Sequence, residues 1–152
     1  MNNYPETPAS TETQDHQPGV QTKMDPAPEV IKPNYKGSDK LKSKIALITG
    51  GDSGIGQSVS VLFAREGADI VICYLDEDQD AQDTRKMVED AGRRCLLIKC
   101  DLQDQDEIKK MVEQTLQEFK TINILVNNAG VQYPQKSISD ISPEQLFKTF
   151  NV

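Results

Sequence analysis

The stretch Thr49–Gly56 reads TGGDSGIG, and it directly follows a short apolar run, KIALIT, at Lys44–Thr49. Apolar residues return after it at helical spacing, so the glycines are predicted to form the turn between a buried strand and a helix. Gly50 is expected to allow the tight turn, Gly54 to let a ligand approach the backbone, and Gly56 to permit close helix packing. Free N–H groups and the dipole at such a helix start favour an anion, so the turn is a candidate phosphate site.

The same strand-to-helix alternation continues toward the C-terminus. Strands are predicted at Lys44–Thr49, Asp69–Tyr74, Arg94–Cys100 and Ile122–Val126. The first helix is predicted to carry an apolar face of Ile55, Val59, Leu62 and Phe63 and to end at Gly67. The second is predicted from about Gln79 to Ala91, with Gly92 as its stop, and the third is capped by Asp104 paired with Glu107. The third helix carries Ile108, Met111, Val112, Leu116 and Phe119.

Continuous apolar strands alternating with helices predict an α/β fold whose parallel sheet is covered on both faces. Right-handed crossovers then give the strand order 3-2-1-4, with the first two helices on one face and the third on the other. This is an incomplete Rossmann-type doubly wound sheet. We expect it to occupy residues 44–152, after a Pro-rich arm at residues 1–43 that is disordered or loosely docked.

The spacing T-G-x-x-x-G-x-G resembles that of the short-chain dehydrogenase/reductase family. NNAG at Asn127–Gly130, Asp101-Leu102 after the third strand and FNV at the C-terminus match further positions of that family. These motifs cover Lys44–Val152. The opening GSDKLKSKIALITGGDSGIG also resembles a bacterial subgroup described as general-stress or glucose-dehydrogenase-like proteins.

The resemblance implies a binding site for NAD or NADP. The cofactor-binding residues it implies are Thr49, Gly50, Ser53, Gly54, Ile55, Gly56, Tyr74, Asp101, Leu102, Asn128, Ala129 and Gly130. Asp101 corresponds to the acid beside the adenine, and Asn128–Gly130 to the turn that stabilises the central sheet. Asn151 corresponds to the structural Asn of the catalytic tetrad.

The choice between NAD and NADP is left open by the sequence. It is normally made at the end of the second strand, where an acid binds the ribose 2′-hydroxyl or an Arg accepts a 2′-phosphate. That position is Tyr74, which is neither. Asp76 and Glu77 would repel a 2′-phosphate if they turned inward, whereas Tyr74 is compatible with both cofactors.

The catalytic part of the family pattern is missing from this chain. No Tyr-x-x-x-Lys pair follows the fourth strand, since Tyr133 has Ser137 four residues later. A helix is predicted to open at Ser142, with Pro143 first and Gln145 completing a capping box. We find no matching stop signal, so Val152 is expected to be a cut within a longer protein.

The composition excludes several other functions. The 152 residues carry a net charge of −7, which argues against a nucleic-acid or anionic-membrane binder. No apolar stretch is long enough to span a membrane, and no signal peptide is predicted. The three cysteines and the single His16 favour buried thiols in a reducing cytoplasm over a metal site or a Ser-His-Asp triad.

We therefore predict an NAD(P)-dependent oxidoreductase that transfers hydride between nicotinamide and a small carbonyl or alcohol substrate. The present chain is expected to be a fragment that is inactive alone, and the complete protein a homo-oligomer. The alternatives are a non-catalytic dinucleotide-binding module and a truncated product without function.

Overall fold

The computed structural model describes Gln21 and residues 28–152. The strands are β1 (Ile45–Thr49), β2 (Asp69–Tyr74), β3 (Cys95–Lys99) and β4 (Ile124–Val126). The helices are α1 (Gly54–Arg65), α2 (Asp78–Asp90), α3 (Gln105–Phe119) and α4 (Pro143–Phe150), with a 3-10 turn at Ile138–Asp140. No helix among the described residues is long and apolar enough to cross a membrane.

The four strands form one parallel sheet in the order β3-β2-β1-β4, which confirms the predicted fold. In the register, Leu47 at the centre of β1 lies opposite Val71 of β2 and Leu125 of β4. β1 is therefore flanked on both sides, and its whole length is buried. The chain steps outward through β2 and β3 and returns to the other side of β1, so the winding direction reverses between β1 and β4.

Two apolar clusters lie on opposite faces of the sheet. On one face Leu47 and Val71 pack with Met111 and Phe119 of α3. On the other face Ile48, Ile70 and Ile72 pack with Ala64 of α1 and Val88 of α2. The predicted placement of the helices, two on one face and one on the other, follows directly from these contacts.

The predicted apolar face of α1 was wrong at its first residue. Ile55 is 77% exposed, whereas Ser60, Val61 and Ala64 are buried. Small side chains let the helix lie close to the sheet, and the Ser60 hydroxyl is satisfied by donating to the Gly56 carbonyl at 2.8 Å. Apolar periodicity alone does not reveal a helix face built from small residues.

The caps of α3 and α4 differ in how closely they follow the prediction. Asp104 caps α3 by accepting from the N–H groups of Asp106 and Glu107. The Glu107 side chain, however, accepts from Asp101 N at 2.7 Å. Glu107 therefore fastens the strand-to-helix loop rather than closing a reciprocal box with the cap. The box at Ser142 and Gln145 that opens α4 is present as predicted.

The N-terminal arm is described only in part. The prediction of a disordered or loosely docked segment falls largely on residues 1–20 and 22–27, which lie outside the described residues. Within the described part, Tyr35 donates a hydrogen bond to the carboxylate of Glu66, and Leu41 packs against the cluster beneath α1. Tyr35 and Leu41 thus contact their own chain.

The buried carboxylate of Glu66, at the end of α1, gathers several donors from the arm. It accepts from Tyr35 Oη, from Ser38 N at 2.9 Å and from Lys40 N at 3.1 Å. The Glu66 carbonyl also accepts from Leu41 N at 2.8 Å. We call this set of contacts the Glu66 clasp. The Tyr35 hydrogen bond and the two backbone donors hold the pKa of Glu66 at about 2, below its ordinary value of 4.5.

Acidification is expected to weaken the Glu66 clasp. Because the folded pKa lies below the ordinary value of 4.5, the stabilisation is complete above that pH and is lost as the pH falls toward about 2. Urea unfolding should show that Glu66→Gln has a lower free energy of unfolding than the wild type at about pH 7. At about pH 3 the difference in unfolding free energy between the two proteins should be smaller. Glu89→Gln, which removes an exposed carboxylate paired with Arg85, is the control. A gap for Glu66→Gln that does not change with pH would contradict the clasp.

Candidate functional site: a cleft at the strand ends

A cleft of about 200 Å³ opens where the carboxyl ends of the strands meet. The end of β2, the loops that follow all four strands and the residue Val152 after α4 line it: Gly50, Asp52, Ser53, Cys73, Tyr74, Leu75, Glu77, Cys100, Asp101, Leu102, Gln103, Asn128, Ala129, Gly130, Val131 and Val152. In open α/β sheets, ligands bind outside the carboxyl ends of the strands at the point where the winding reverses. The cleft lies at that point, beside β1 and β4.

Two glycines shape the turn that forms one wall of the cleft. Gly50 and Gly54 have φ values of 59° and 54°, which side-chain-bearing residues rarely adopt. A Cβ built on Gly54 would meet nothing within 4 Å, so the backbone there faces open space. The Gly54 N–H points outward and donates to the side-chain oxygen of Gln21 at 2.6 Å. The start of α1 therefore presents an accessible donor to an acceptor oxygen.

Gly56 makes the closest approach within the turn. A Cβ at this position would lie 1.8 Å from the Gly50 carbonyl oxygen and 2.6 Å from Nδ2 of Asn128. The first turn of α1 is thus pressed against the start of the glycine turn and the loop after β4. The sequence predicted close packing at Gly56, and the structure shows which groups it packs against.

The loop after β4 is fastened to the end of β1. The Thr49 hydroxyl accepts from the N–H groups of Asn128 and Ala129, each at 3.0 Å, and donates to the Val126 carbonyl at 3.3 Å. The Asn128 side chain donates to the carbonyls of Thr49 at 3.0 Å and Gly50 at 2.8 Å. These bonds hold the two walls of the cleft at a fixed separation.

Carboxylates give the cleft its electrostatic character. Asp52, Glu77 and Asp101 line it, and no lysine or arginine does so within the described part of the chain. Burial raises the pKa of Asp52, and burial together with the Asp76 carboxyl raises the pKa of Glu77. An anion bound in the cleft would have no basic lining side chain beside it and would depend on backbone N–H donors.

Tyr74, at the predicted selector position, is held by charged neighbours. Its hydroxyl donates to Asp78 at 2.9 Å, and Asp78 also lies 3.5 Å from the Lys99 ammonium. Burial and this hydrogen bond raise the pKa of Tyr74 to about 12. Burial likewise raises the pKa of the neighbouring Cys73 thiol to about 12. Neither group is a nucleophile or base near neutral pH.

The structure brings most of the predicted cofactor-binding residues together. Eight of them line the cleft: Gly50, Ser53, Tyr74, Asp101, Leu102, Asn128, Ala129 and Gly130. Thr49 ends β1, and Gly54, Ile55 and Gly56 form the start of α1. Asn151, the predicted tetrad residue, is exposed just after α4 and does not line the cleft. Their roles toward a cofactor stay predictions.

Two acidic residues of the cleft were not among the predicted binding residues. Asp52 occupies one of the x positions of the T-G-x-x-x-G-x-G motif, which specifies no residue type there. Glu77 follows the expected selector position by three residues. The sequence left open whether Asp76 and Glu77 turn inward. In the structure Glu77 lines the cleft and Asp76 does not.

A parallel sheet in the order 3-2-1-4, with a glycine turn leading from its first strand into a helix, defines a dinucleotide-binding domain of the Rossmann type. Within that class, the chain belongs to the short chain dehydrogenase family, whose family model matches residues 44–152. The resemblance noted from the motifs is thereby confirmed.

Two curated relatives illustrate the similarity. The chain is 54% identical over 151 residues to General stress protein 39 of Bacillus subtilis, covering 99% of this chain and 52% of that protein. It is 41% identical over 143 residues to the glucose and ribitol dehydrogenase of Daucus carota, covering 90% and 49%. The chain spans about half the length of these relatives.

Solved structures show the same fold. A short chain dehydrogenase from Mycobacterium paratuberculosis bound to NAD is 32% identical, with a TM-score of 0.69, over 74% of this chain and 45% of that one. A short chain dehydrogenase from Burkholderia cenocepacia in complex with NADP is 34% identical, with a TM-score of 0.70, over 74% and 46%. Similar structures therefore hold either cofactor.

Proposed function

We propose that this chain is the cofactor-binding half of an NAD(P)-dependent oxidoreductase acting on a small carbonyl or alcohol substrate. The observation that carries the proposal is the cleft itself. It lies at the reversal point of the sheet, and Gly54, whose backbone faces open space, directly follows the lining residue Ser53. Family membership supports the reaction class, which is hydride transfer.

The residues of the cleft fit a dinucleotide. The N–H at Gly54 and the positive end of the α1 dipole suit a pyrophosphate, whose oxygen would replace the Gln21 oxygen as acceptor. Asp101 and Leu102 would border the adenine, and Asn128–Gly130 would border the adenosine side. The bound cofactor would supply the hydride chemistry, while these residues would bind and orient it.

The present chain is proposed to bind cofactor without turnover. Proton transfer to a carbonyl oxygen needs a group within hydrogen-bond reach, and the Tyr and Lys that serve the family are not found after β4. In the complete protein, Asn151 is proposed to join the catalytic tetrad. We also propose a cytoplasmic homo-oligomer that binds neither nucleic acid nor membranes.

Gly54→Val is expected to abolish dinucleotide binding. The substitution would place a branched side chain in the open space where the pyrophosphate would lie. Isothermal titration with NAD and NADP measures the loss, which should exceed about 100-fold in Kd because several charge-assisted hydrogen bonds are lost together.

The matched control is Gly92→Val. Gly92 also has a positive φ, 76°, and a Cβ there also meets nothing within 4 Å, but it follows α2 and lies outside the glycine turn that leads into α1. Both variants carry the same kind of backbone strain, so only a site effect separates them. Equal Kd values for the wild type and a folded Gly54→Val would refute the pyrophosphate assignment.

A further inference from the structure

The start of α1 is already occupied by a residue of the N-terminal arm. Oε1 of Gln21 accepts from the Gly54 N–H at 2.6 Å, and the two residues are 33 positions apart in the chain. The same N–H is the donor that would bind a pyrophosphate oxygen. A neutral amide oxygen therefore lies where the helix dipole favours an anion.

Two further hydrogen bonds hold Gln21 in this position. Its Nε2 donates to Oε1 of Gln57 at 2.5 Å, and its backbone N–H donates to Oδ2 of Asp80 at 2.8 Å. Gln57 and Asp80 are only 2% and 3% exposed, so Gln21 partners polar groups that water reaches poorly. We call the Gly54 N–H, the Gln57 side chain and the Asp80 carboxylate the Gln21 socket.

The Gln21 socket is connected to the wall of the cleft. Gln57 Nε2 donates to the hydroxyl of Thr84 at 2.7 Å, and that hydroxyl donates to the Asp52 carbonyl at 2.6 Å. Thr84 is fully buried, and Asp52 lines the cleft. Gln21 is therefore the outer end of a chain of hydrogen bonds that reaches the glycine turn.

The part of the arm that follows Gln21 is attached to the same side of the molecule. Pro28 and Val30 line a groove together with Met87 of α2. Farther along the arm, the Glu66 clasp ties the chain to the end of α1. Because the clasp tethers the arm, Gln21 competes for its socket at the high effective concentration of an intramolecular group.

We propose that the N-terminal arm is an intramolecular competitor of the dinucleotide, because Gln21 must leave its socket before a pyrophosphate can bind the Gly54 N–H. This inference rests on the proposed function, namely that the start of α1 binds the pyrophosphate of a dinucleotide. A phosphate oxygen is a charge-assisted acceptor and displaces a neutral amide at sufficient nucleotide concentration. The arm thereby raises the cofactor concentration at which the site fills.

Hydrogen exchange of the Gly54 amide, followed by NMR on the full chain, tests the docked arm without any nucleotide. A socket of ordinary hydrogen-bond strength leaves the arm undocked about one fifth of the time. Gly54 should therefore exchange about fivefold faster in Gln21→Ala than in the wild type. Asp80→Ala should also speed this exchange, because Gln21 loses an anchor, but it should add nothing in Gln21→Ala. An unchanged Gly54 exchange rate in Gln21→Ala would overturn the inference.

Isothermal titration with NAD, NADP and ADP measures the competition itself. Gln21→Ala should lower the Kd of all three by about fivefold, because each carries a pyrophosphate and the socket is then always open. Gln79→Ala is the matched control. It removes the same side chain from an exposed position of α2, where Nε2 donates to Asp83 at 3.0 Å, and it should change neither the Kd values nor the Gly54 exchange rate.

The outcomes separate this inference from the proposed function. Faster Gly54 exchange in Gln21→Ala with an unchanged or higher Kd would overturn the competition and leave the proposed function intact. If neither the wild type nor Gln21→Ala bound any of the three nucleotides, the proposed function and the competition would both be overturned.

Discussion

Gly56→Ala is expected to destabilise the folded chain by about 3 kcal/mol or more, a large loss for a single methyl group. The new Cβ would lie 1.8 Å from the Gly50 carbonyl oxygen, and that oxygen belongs to the backbone and cannot rotate away. α1 would have to move off the turn, which would also disturb the Asn128 side chain 2.6 Å from the same point. Urea unfolding followed by circular dichroism measures the change.

Gly130→Ala is the control for Gly56→Ala. A Cβ at Gly130 meets nothing within 4 Å, so its free energy of unfolding should stay within about 0.5 kcal/mol of the wild type. The two variants add the same methyl group, one in the first turn of α1 and the other in the loop after β4. If Gly56→Ala unfolds at the wild-type urea concentration, the close contact between α1 and the turn is wrong.

Asn128→Ala is expected to cost about 2 kcal/mol of unfolding free energy, since it leaves the half-buried carbonyls of Thr49 and Gly50 without the Asn128 donor. It should also weaken binding of NAD and NADP alike, because the loop after β4 would no longer be held against the glycine turn. Unfolding midpoints and titration with both nucleotides measure the two effects on one protein sample.

The neighbouring Asn127 provides the control in this case. Asn127 is exposed, and its replacement by Ala should leave both stability and nucleotide affinity close to wild type. Equivalent behaviour of the two asparagine variants would show that the side-chain bonds of Asn128 contribute nothing. A loss of affinity for only one nucleotide would instead assign Asn128 to the ribose end of the cleft.

The sheet was predictable from the sequence because its central strands, β1 and β2, are buried and read as unbroken apolar runs. β2 was predicted at Asp69–Tyr74 and is observed there, since Asp69 and Tyr74 mark sharp changes in polarity. β4 was predicted at Ile122–Val126 but begins at Ile124. Asn123 breaks that apolar run, and its side chain accepts from Ile45 N.

The site was predictable where chemistry depends on backbone shape and less so where it depends on side-chain direction. Glycines at fixed spacing marked the turn, because few other residues adopt the φ of Gly50. The sequence left the choice among Tyr74, Asp76 and Glu77 open. Tyr74 ends β2, and Asp76 and Glu77 lie in the loop that follows. Only the fold determines where their side chains point, and there Tyr74 and Glu77 line the cleft whereas Asp76 does not.

The Glu66 clasp has a consequence for anyone who shortens this chain. The family match starts at residue 44, so that position invites a cut. Such a cut would remove the N–H and O–H donors of the Glu66 carboxylate, although Glu66 is only 6% exposed. It would also expose the apolar cluster against which Leu41 packs. It would also remove Gly37, where a Cβ would overlap the Arg65 carbonyl at 1.7 Å. A shortened protein that keeps these contacts must therefore begin before Tyr35, which lies nine residues upstream of the start of the family match.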